Sequence, residues 1–484
     1  MHMHAMIAAV TGVPFVGAVL CLAVRDKASK YVAVLATAVA AAYASAIAAT
    51  QSNVTVKFGG FPWLGKGAAQ ALFGYQIDPL STIVLLAATI IGFVSVLYST
   101  GYLSKGNRNF AIERGQARYF FWVLLFSGAM TGIVISPTLI QLLIFWELTT
   151  VCSWALISYY DDEESLKAGM KYLVITSFGG LFLIGGTVWV LVATGSITFD
   201  ALGHMSAHAR AWAFVLFLIA AWAKSAQMPF HTWLPDAMVA PTPINAYLDA
   251  ASMVKAGVFL IARLLLAGWN LPYDASLFVA IAALVTMFSA LYFYFIQDDV
   301  KRLLAYSTIA QLGYIMLGLG IGSMGAHLAT RGAVLHILMH AFTKTLLFLS
   351  IGVVVYTQGT KNLSKLRGLA RQLPVAAVAF FVGVFALTGV PPLPCFWSKL
   401  YMLSGALELK GALGPIVLIL VLIESLVTFG WFLYVGQKIF FGKGTENEVC
   451  TVPLSMNATL IALVIATVLV PIAGIPIVAQ LINP

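Results

Sequence analysis

The sequence predicts an all-α polytopic membrane protein of about 14 transmembrane helices, built around two inverted five-helix repeats with broken helices at positions seven and twelve. Three observations predict it. Of the 484 residues, 61% are hydrophobic and only 9% are charged, against about 25% charged in a soluble domain. The apolar residues fall in runs of about 20, the length at which a helix crosses a hydrocarbon core. Two of those runs, five apart, are interrupted by proline.

So few polar side chains cannot cover a water-facing surface, which excludes a soluble enzyme, a nucleic-acid binder and a disordered scaffold. Net charge is +9, from 27 Lys and Arg against 18 Asp and Glu. In a membrane chain that excess is read by location before it is read as affinity.

The spans are expected near 3 to 24, 31 to 50, 79 to 100, 118 to 136, 138 to 160, 169 to 194, 209 to 228, 243 to 267, 273 to 296, 302 to 322, 329 to 356, 373 to 409, 413 to 437 and 453 to 478. The opening MHMHAMIAAVTG has no Lys or Arg before Arg25, so it reads as the start of the first span and not as a cleaved signal. Backbone in lipid must satisfy its own hydrogen bonds, and runs this long exceed a strand, so each is a helix. Ahead of the sixth span, the run Asp161-Asp162-Glu163-Glu164 complements that helix's N-terminus. In the seventh, Met228-Pro229 follows Lys224 and Pro235 lies beyond; in the twelfth, Gly389-Val390-Pro391-Pro392-Leu393-Pro394 precedes Lys399. Matched breaks in two halves of odd helix number point to a transport site near the midplane.

The basic residues test this division. With the flanking turns included, odd-numbered loops hold 17 Lys and Arg, even-numbered loops hold 5, and five lie inside spans. The positive-inside rule then puts odd loops in the cytoplasm of an inner-membrane protein and both termini outside. One membrane domain fills the chain: N-terminal spans over 1–117, the first repeat over 118–267, the second over 273–440, and the last loop and helix over 441–484. Cys21, Cys152, Cys395 and Cys450 form no CxxC and no Cys/His cluster, so no cofactor or metal is expected in this chain itself.

Ionisable residues within spans are rare and costly, and each is a functional candidate. Glu147 lies in IFWELTT and Lys224 in AWAKSAQMPF, just before a break. At ~4 Å and an effective dielectric near 20 their attraction would be ~4 kcal/mol. Moving Glu147 toward or away would therefore switch Lys224 between holding and releasing a proton. Lys255 falls at the centre of the eighth span, out of reach of a headgroup. Asp249, six residues earlier, is turned away from it on a regular helix, so a direct ion pair is not expected and a water bridge is the alternative. His336, His340 and Lys344 are spaced by four and stack on one face. A titratable ladder is the better reading of that face; a metal site lacks a third ligand nearby, and Lys344 would repel the cation. Lys399 and Glu424 would end the relay toward the outside. Arg263, near the outer end of its helix, is expected to snorkel, and His204 and His208 to lie in a solvated loop.

At KSAQMPFHTWLPDAMVAPTPINAYLDAASMVKAG, residues 224 to 257, the chain resembles the proton-translocating antiporter family. That family comprises antiporter-like subunits of respiratory complex I, Mrp sodium/proton antiporters and the membrane arms of group 4 hydrogenases. FWELTT at 145 to 150, DDVKRLLAYSTIAQLGY at 298 to 314, HAFTKTLLFL at 340 to 349 and GVPPLPCFWSK at 389 to 399 carry the same resemblance. LYSTGYLSKGNRN at 97 to 109, CSWALISYY at 152 to 160 and IESLVTFGWF at 423 to 432 are similar to the component D type of hydrogenase 4 in formate hydrogenlyase complexes. The resemblance implies that Glu147 and Lys224 are the family's coupled pair and Lys255 its central lysine. It also makes His336, His340 and Lys344 the relay of the eleventh helix, and Lys399 the basic residue of the broken twelfth. Asp249 departs from it, standing where the family usually has His. The function implied is proton translocation in a redox-driven complex, with an Mrp-type sodium/proton exchanger or a complex I antiporter-like subunit as the alternatives. Implied partners are further antiporter-like membrane subunits, and cytoplasmic hydrogenase and iron–sulfur subunits holding the iron–sulfur clusters and a nickel–iron centre.

Overall fold

Eleven helices among the described residues are long and apolar enough to cross a membrane, and three further segments, polar at one end or broken, complete the fourteen. The computed structural model describes residues 2–58, 72–112, 114–269, 271–442 and 451–481; Cys450 and much of the last loop lie outside them. The first helical run is broken at Arg25, with φ at 58°, into α1 (Met3–Asp26) and α2 (Ala28–Thr50). There follow α3 (Pro79–Tyr102), α4 (Gln116–Ile135), α5 (Leu139–Ile157), α6 (Glu163–Thr194) and α7 (Ala207–Lys224). Next is α8, whose main body is Met253–Leu266 behind a helical turn at Thr242–Asn245 and a π-helical turn at Ala246–Ala251. The second half holds α9 (Tyr273–Tyr294), α10 (Val300–Gly322), α11 (His327–Gln358), α12 in two pieces (Pro374–Thr388 and Pro394–Ala406), α13 (Leu413–Phe440) and α14 (Leu454–Ala479).

Local chemistry explains the boundaries that moved. Helix α6 starts six residues earlier than expected because Asp162 Oδ1 accepts the Ser165 amide at 2.7 Å, an N-cap. Asp26 accepts the Gly115 and Ala117 amides at 2.9 and 2.8 Å, which places a carboxylate on the positive end of α4. One short hairpin accompanies the all-α bundle. Between α2 and α3, β1 (Val54–Phe58) pairs antiparallel with β2 (Phe73–Ile77); five-residue segments lying outside the spans are too short to register as apolar runs. Gln141 at the start of α5 exchanges both amide bonds with Gly74, at 2.8 and 3.0 Å, and so pins the hairpin to the bundle.

The loops sort to two ends. Lys361 reaches Asp299 at 3.1 Å and Glu164 at 3.9 Å, while Lys171 and Arg302 share Asp236 at 2.6 and 3.2 Å, which gathers odd-numbered loops and the helix ends beside them. At the other end His4 bonds Tyr75, Gln480 bonds Gln51, and Lys57 pairs with Asp200. Both ends of the described chain therefore sit with the even loops, as the span count requires.

In the centre, the apolar spans of α10 and α11 are buried, whereas α2, α6, α13 and α14 turn Leu35, Leu181, Leu426 and Ile472 outward, as lipid-facing helices do. Small residues bring backbones together: a Cβ on Gly332 of α11 would lie 2.6 Å from Met402 N, and one on Gly405 of α12 would lie 2.3 Å from Ala329 N. This contact seats the second piece of α12 against α11 and puts Ser398 beside His336.

Arg263 does not snorkel. Its side chain is 3% exposed and ion-pairs Asp78, the N-cap of α3, with a further bond to Ser81 Oγ at 2.6 Å. The wrong expectation came from counting turns to the helix end, when the nearest anion is closer than water. Burial pushes the Asp78 carboxyl up, but the Arg263 guanidinium outweighs it and holds the group below the usual carboxylate range. Such a depressed acid contributes stability above its unfolded pKa, which is lost as pH falls through the folded value. Arg263→Met should lower unfolding stability by about 3–5 kcal/mol, the cost of orphaning one partner of a buried pair. Adding Asp78→Asn should recover part of it, as thermal unfolding in detergent would show.

Candidate functional site

Helix α7 ends at Lys224, and the following Pro229 has no amide to continue it. The Lys224 ammonium, fully buried, donates to Trp146 O at 3.0 Å and Thr150 Oγ1 at 2.7 Å and lies 5.1 Å from the Trp146 ring centroid. The expected close Glu147–Lys224 pair is not made. Trp146 and Thr150 are four apart and share one face of α5, while Glu147 is rotated about 100° from Trp146. Its carboxylate points at α6 instead, where a Cβ on Gly180 would lie 2.2 Å from Oε1. Glu147 Oε1 has no hydrogen-bond partner among the described residues, and the side chain is only half-buried, between outward-facing Ile144 and Val151.

Ser225, next to Lys224, bonds the backbone at Val254 O (2.7 Å) and Val258 N (3.1 Å), which stitches the end of α7 to the turn of α8 that carries Lys255. The Lys255 ammonium meets His340 Nδ1 at 2.7 Å. Asp249 sits on the π-helical turn, so the regular-helix angle assumed from sequence does not hold across it. Even so it forms no pair with Lys255; its Oδ2 accepts from Thr308 Oγ1 at 3.0 Å and its Oδ1 is unpartnered. Lys344 donates to Leu304 O and Ser307 Oγ. The rings of His336 and His340 are 5.8 Å apart; His336 Nδ1 meets Ser398 Oγ at 2.8 Å and Nε2 meets Gln311 Oε1 at 3.0 Å. All five of these ionisable groups are fully buried. Among the described residues no three His, Cys, Asp or Glu side chains converge as metal ligands would.

At the far end Lys399 spans the break in its own helix: the ammonium reaches Thr388 O, the last carbonyl before the gap, at 3.4 Å, and Ser425 Oγ at 3.1 Å. An exposed carbonyl at a helix C-terminus is a natural seat for a cation. Glu424 accepts from Thr428 at 2.8 Å and from the Tyr314 hydroxyl. His204 and His208 are exposed, away from this path.

One helix contacts five of the nine candidate residues, Lys399 among them, its ammonium 4.5 Å from the Tyr314 ring centroid. Along α10, Leu304, Ser307 and Thr308, Gln311 and Tyr314 take Lys344, Asp249, His336 and Glu424 in turn. Lys301, one turn before Leu304, is buried and donates to Ala240 O at 2.7 Å. Sequence reasoning missed the neutral residues because it ranked charged groups, and Lys301 because the span was expected to begin at 302 whereas the helix begins at Val300. The signal was present as polar side chains at i, i+3 and i+4 in an otherwise apolar helix, the spacing of one face.

A fourteen-helix bundle with two broken helices and a buried file of Lys, His and acid side chains defines a polytopic membrane protein of the antiporter-like class. The chain belongs to the NADH:quinone oxidoreductase/Mrp antiporter transmembrane family, whose profile matches residues 136–426; residues 63–120 match the N-terminal region of complex I chain 5. Chloroplastic NAD(P)H-quinone oxidoreductase subunit 5 of Nuphar advena is 39% identical over 349 residues, covering 68% of this chain and 45% of its own length. Na(+)/H(+) antiporter subunit A1 of Staphylococcus haemolyticus is 36% identical over 435 residues, covering 84% and 52%. The chain thus spans about half the length of these curated relatives. The Mrp complex from Dietzia sp. holds a chain that superposes with a TM-score of 0.85 at 28% identity, covering 99% of this chain and 52% of that one.

Proposed function

We propose that the chain is the proton-translocating membrane subunit of a redox-driven complex, and that its complex is a group 4 hydrogenase of the formate hydrogenlyase type. The observation that carries this reading is a file of titratable groups through the bundle, with gaps at Glu147–Lys224 and at Lys224–Lys255 that water would have to bridge. It runs from Glu147 and Lys224, across the Ser225 stitch, to Lys255, His340 and His336, and on to Lys399 and Glu424, with Lys344 and Asp249 beside its centre. Glu147 Oε1, Asp249 Oδ1 and His340 Nε2 are buried without a hydrogen-bond partner among the described residues, and such atoms are ordinarily satisfied by water. A hydrated file of this kind moves protons by short transfers and needs no redox centre of its own.

The drive would come from partner subunits carrying iron–sulfur clusters and a nickel–iron centre. A half-buried carboxylate on the bundle surface is costly against lipid, so a neighbouring membrane subunit covering α5 and α6 fits Glu147. Electron transfer in the partners would shift that carboxylate between Gly180 and the Lys224 face. The three stretches at 97–109, 152–160 and 423–432 support the hydrogenase assignment, and the loop charges support an inner-membrane location with both termini outside. A second reading, sodium/proton exchange in an Mrp-type assembly, is favoured by the 36% identity to an antiporter subunit across 84% of the chain. Purifying the chain with its natural partners separates the two, by whether hydrogenase subunits or small antiporter subunits co-purify. In the reconstituted complex, Lys224→Met should abolish proton pumping; pumping unchanged at wild-type turnover would remove the mechanism.

A further inference from the structure

From the packing around the far end of the file we infer that Tyr314 is a positioning residue: it keeps Lys399 and Glu424 apart and ties both to His336, so that three helices are coupled through one phenol. This rests on the reading of Lys399 and Glu424 as the end of the proton path. Tyr314 is 1% exposed, so each contact it makes is with protein.

On its ring, the Lys399 ammonium lies 4.5 Å from the centroid, and His336 stacks at 5.9 Å with planes 23° apart. At its hydroxyl, Tyr314 donates to the Glu424 carboxylate, lies 2.8 Å from Ser425 Oγ and 3.3 Å from Val421 O. Ser425 is shared, since Lys399 donates to it at 3.1 Å. The order in space is therefore lysine, serine, phenol, glutamate, and among the described residues no ion pair joins Lys399 to Glu424.

Chemistry explains why a tyrosine suits this place. A cation and a carboxylate sharing a buried pocket attract strongly, and a direct pair would hold the proton where it is. The aromatic ring gives the ammonium a negative face to rest on, while the hydroxyl gives the carboxylate its donor, so each charge is satisfied without the other. The two roles reinforce each other: a phenol donating to an anion gains electron density, which strengthens its hold on the cation. When Glu424 takes a proton, the hydroxyl is free to turn to Ser425 or Val421 O, the ring's hold weakens, and Lys399 is left to Thr388 O and Ser425 Oγ. Tyr314 itself neither gains nor loses a proton in this cycle.

The test uses the purified complex with Tyr314→Phe, and Glu424→Gln to assign the Glu424 carboxyl bands in infrared difference spectra by their loss. Tyr314→Phe keeps the ring and removes the donor. The Glu424 bands should shift, and transport should fall roughly tenfold, about the rate equivalent of one hydrogen bond. Unmoved bands with intact transport would show Tyr314 to be packing alone and overturn the inference. If Tyr314→Phe does not assemble, Ser425→Ala carries the test: it removes the hydroxyl that bridges the Lys399 ammonium and the Tyr314 hydroxyl, so transport should fall with the Glu424 bands in place, and undiminished transport overturns the inference. Normal transport in Glu424→Gln would instead overturn the proposed path, while the band shift in Tyr314→Phe would still report the Tyr314–Glu424 bond.

Discussion

Lys255→Met is expected to cut proton translocation by about 10²–10⁴-fold, the range of a positioned acid–base group, without lowering the unfolding temperature. The argument sets two costs against each other. Burying an ammonium costs several kcal/mol even after relaxation, and here the one side-chain bond returned is to His340 Nδ1. Replacing lysine by methionine keeps the length and apolar stem of the side chain and removes that penalty. It also strands His340 Nδ1, at about 1–3 kcal/mol. The first term exceeds the second, so the variant should be as stable as the parent, or more so, and inactive. Transport in reconstituted vesicles and thermal unfolding in detergent would be measured side by side. A variant that transports normally removes Lys255 from the path. One that unfolds earlier shows the lysine to be a structural tie.

This separation of stability from activity also marks which features the sequence made legible. The spans were readable because lipid allows one solution to backbone hydrogen bonding, and the breaks because proline has no amide to give. Lys255, His340 and His336 could be singled out because charge in an apolar run has no bland explanation. Their partners could not be found that way. Which nitrogen of His336 faces Ser398 and which faces Gln311 depends on how α10, α11 and α12 pack, and that packing is set by glycines such as Gly332 and Gly405 whose sequence context is unremarked. Asp249 shows a different limit: its direction depends on a π-helical turn that no periodicity rule detects. Arg263 shows a third, since an anion from a loop 185 residues away decided between snorkelling and burial.

Gly180→Ala should reduce translocation about 10–100-fold although it removes no charge and no hydrogen bond. Helix α6 carries two adjacent glycines that face different neighbours. A Cβ on Gly179 would lie 2.5 Å from the Ala223 side chain of α7, and one on Gly180 would lie 2.2 Å from Glu147 Oε1 and 3.1 Å from its Cδ on α5. The pair thus lets α6 approach both the helix of Lys224 and the carboxylate proposed to control it. An ordinary contact needs about 3.4 Å, so a methyl group at residue 180 forces Glu147 to move by about 1 Å, and a misplacement of that size can cost 10²-fold in a positioned site. The direction is informative. The carboxylate cannot pass through α6, so it must swing along α5, toward the Trp146 and Thr150 face where Lys224 is held or away toward Ile144 and Val151. Either displacement disturbs the proposed switch while leaving turnover in the proposed redox partners intact. Shortening the acid should relieve the clash, so Gly180→Ala with Glu147→Asp is expected to translocate better than the sum of the single losses allows, a positive coupling in a double-mutant cycle. Strict additivity would mean that the two residues act independently, and that Gly180 matters only for packing α6 into the bundle.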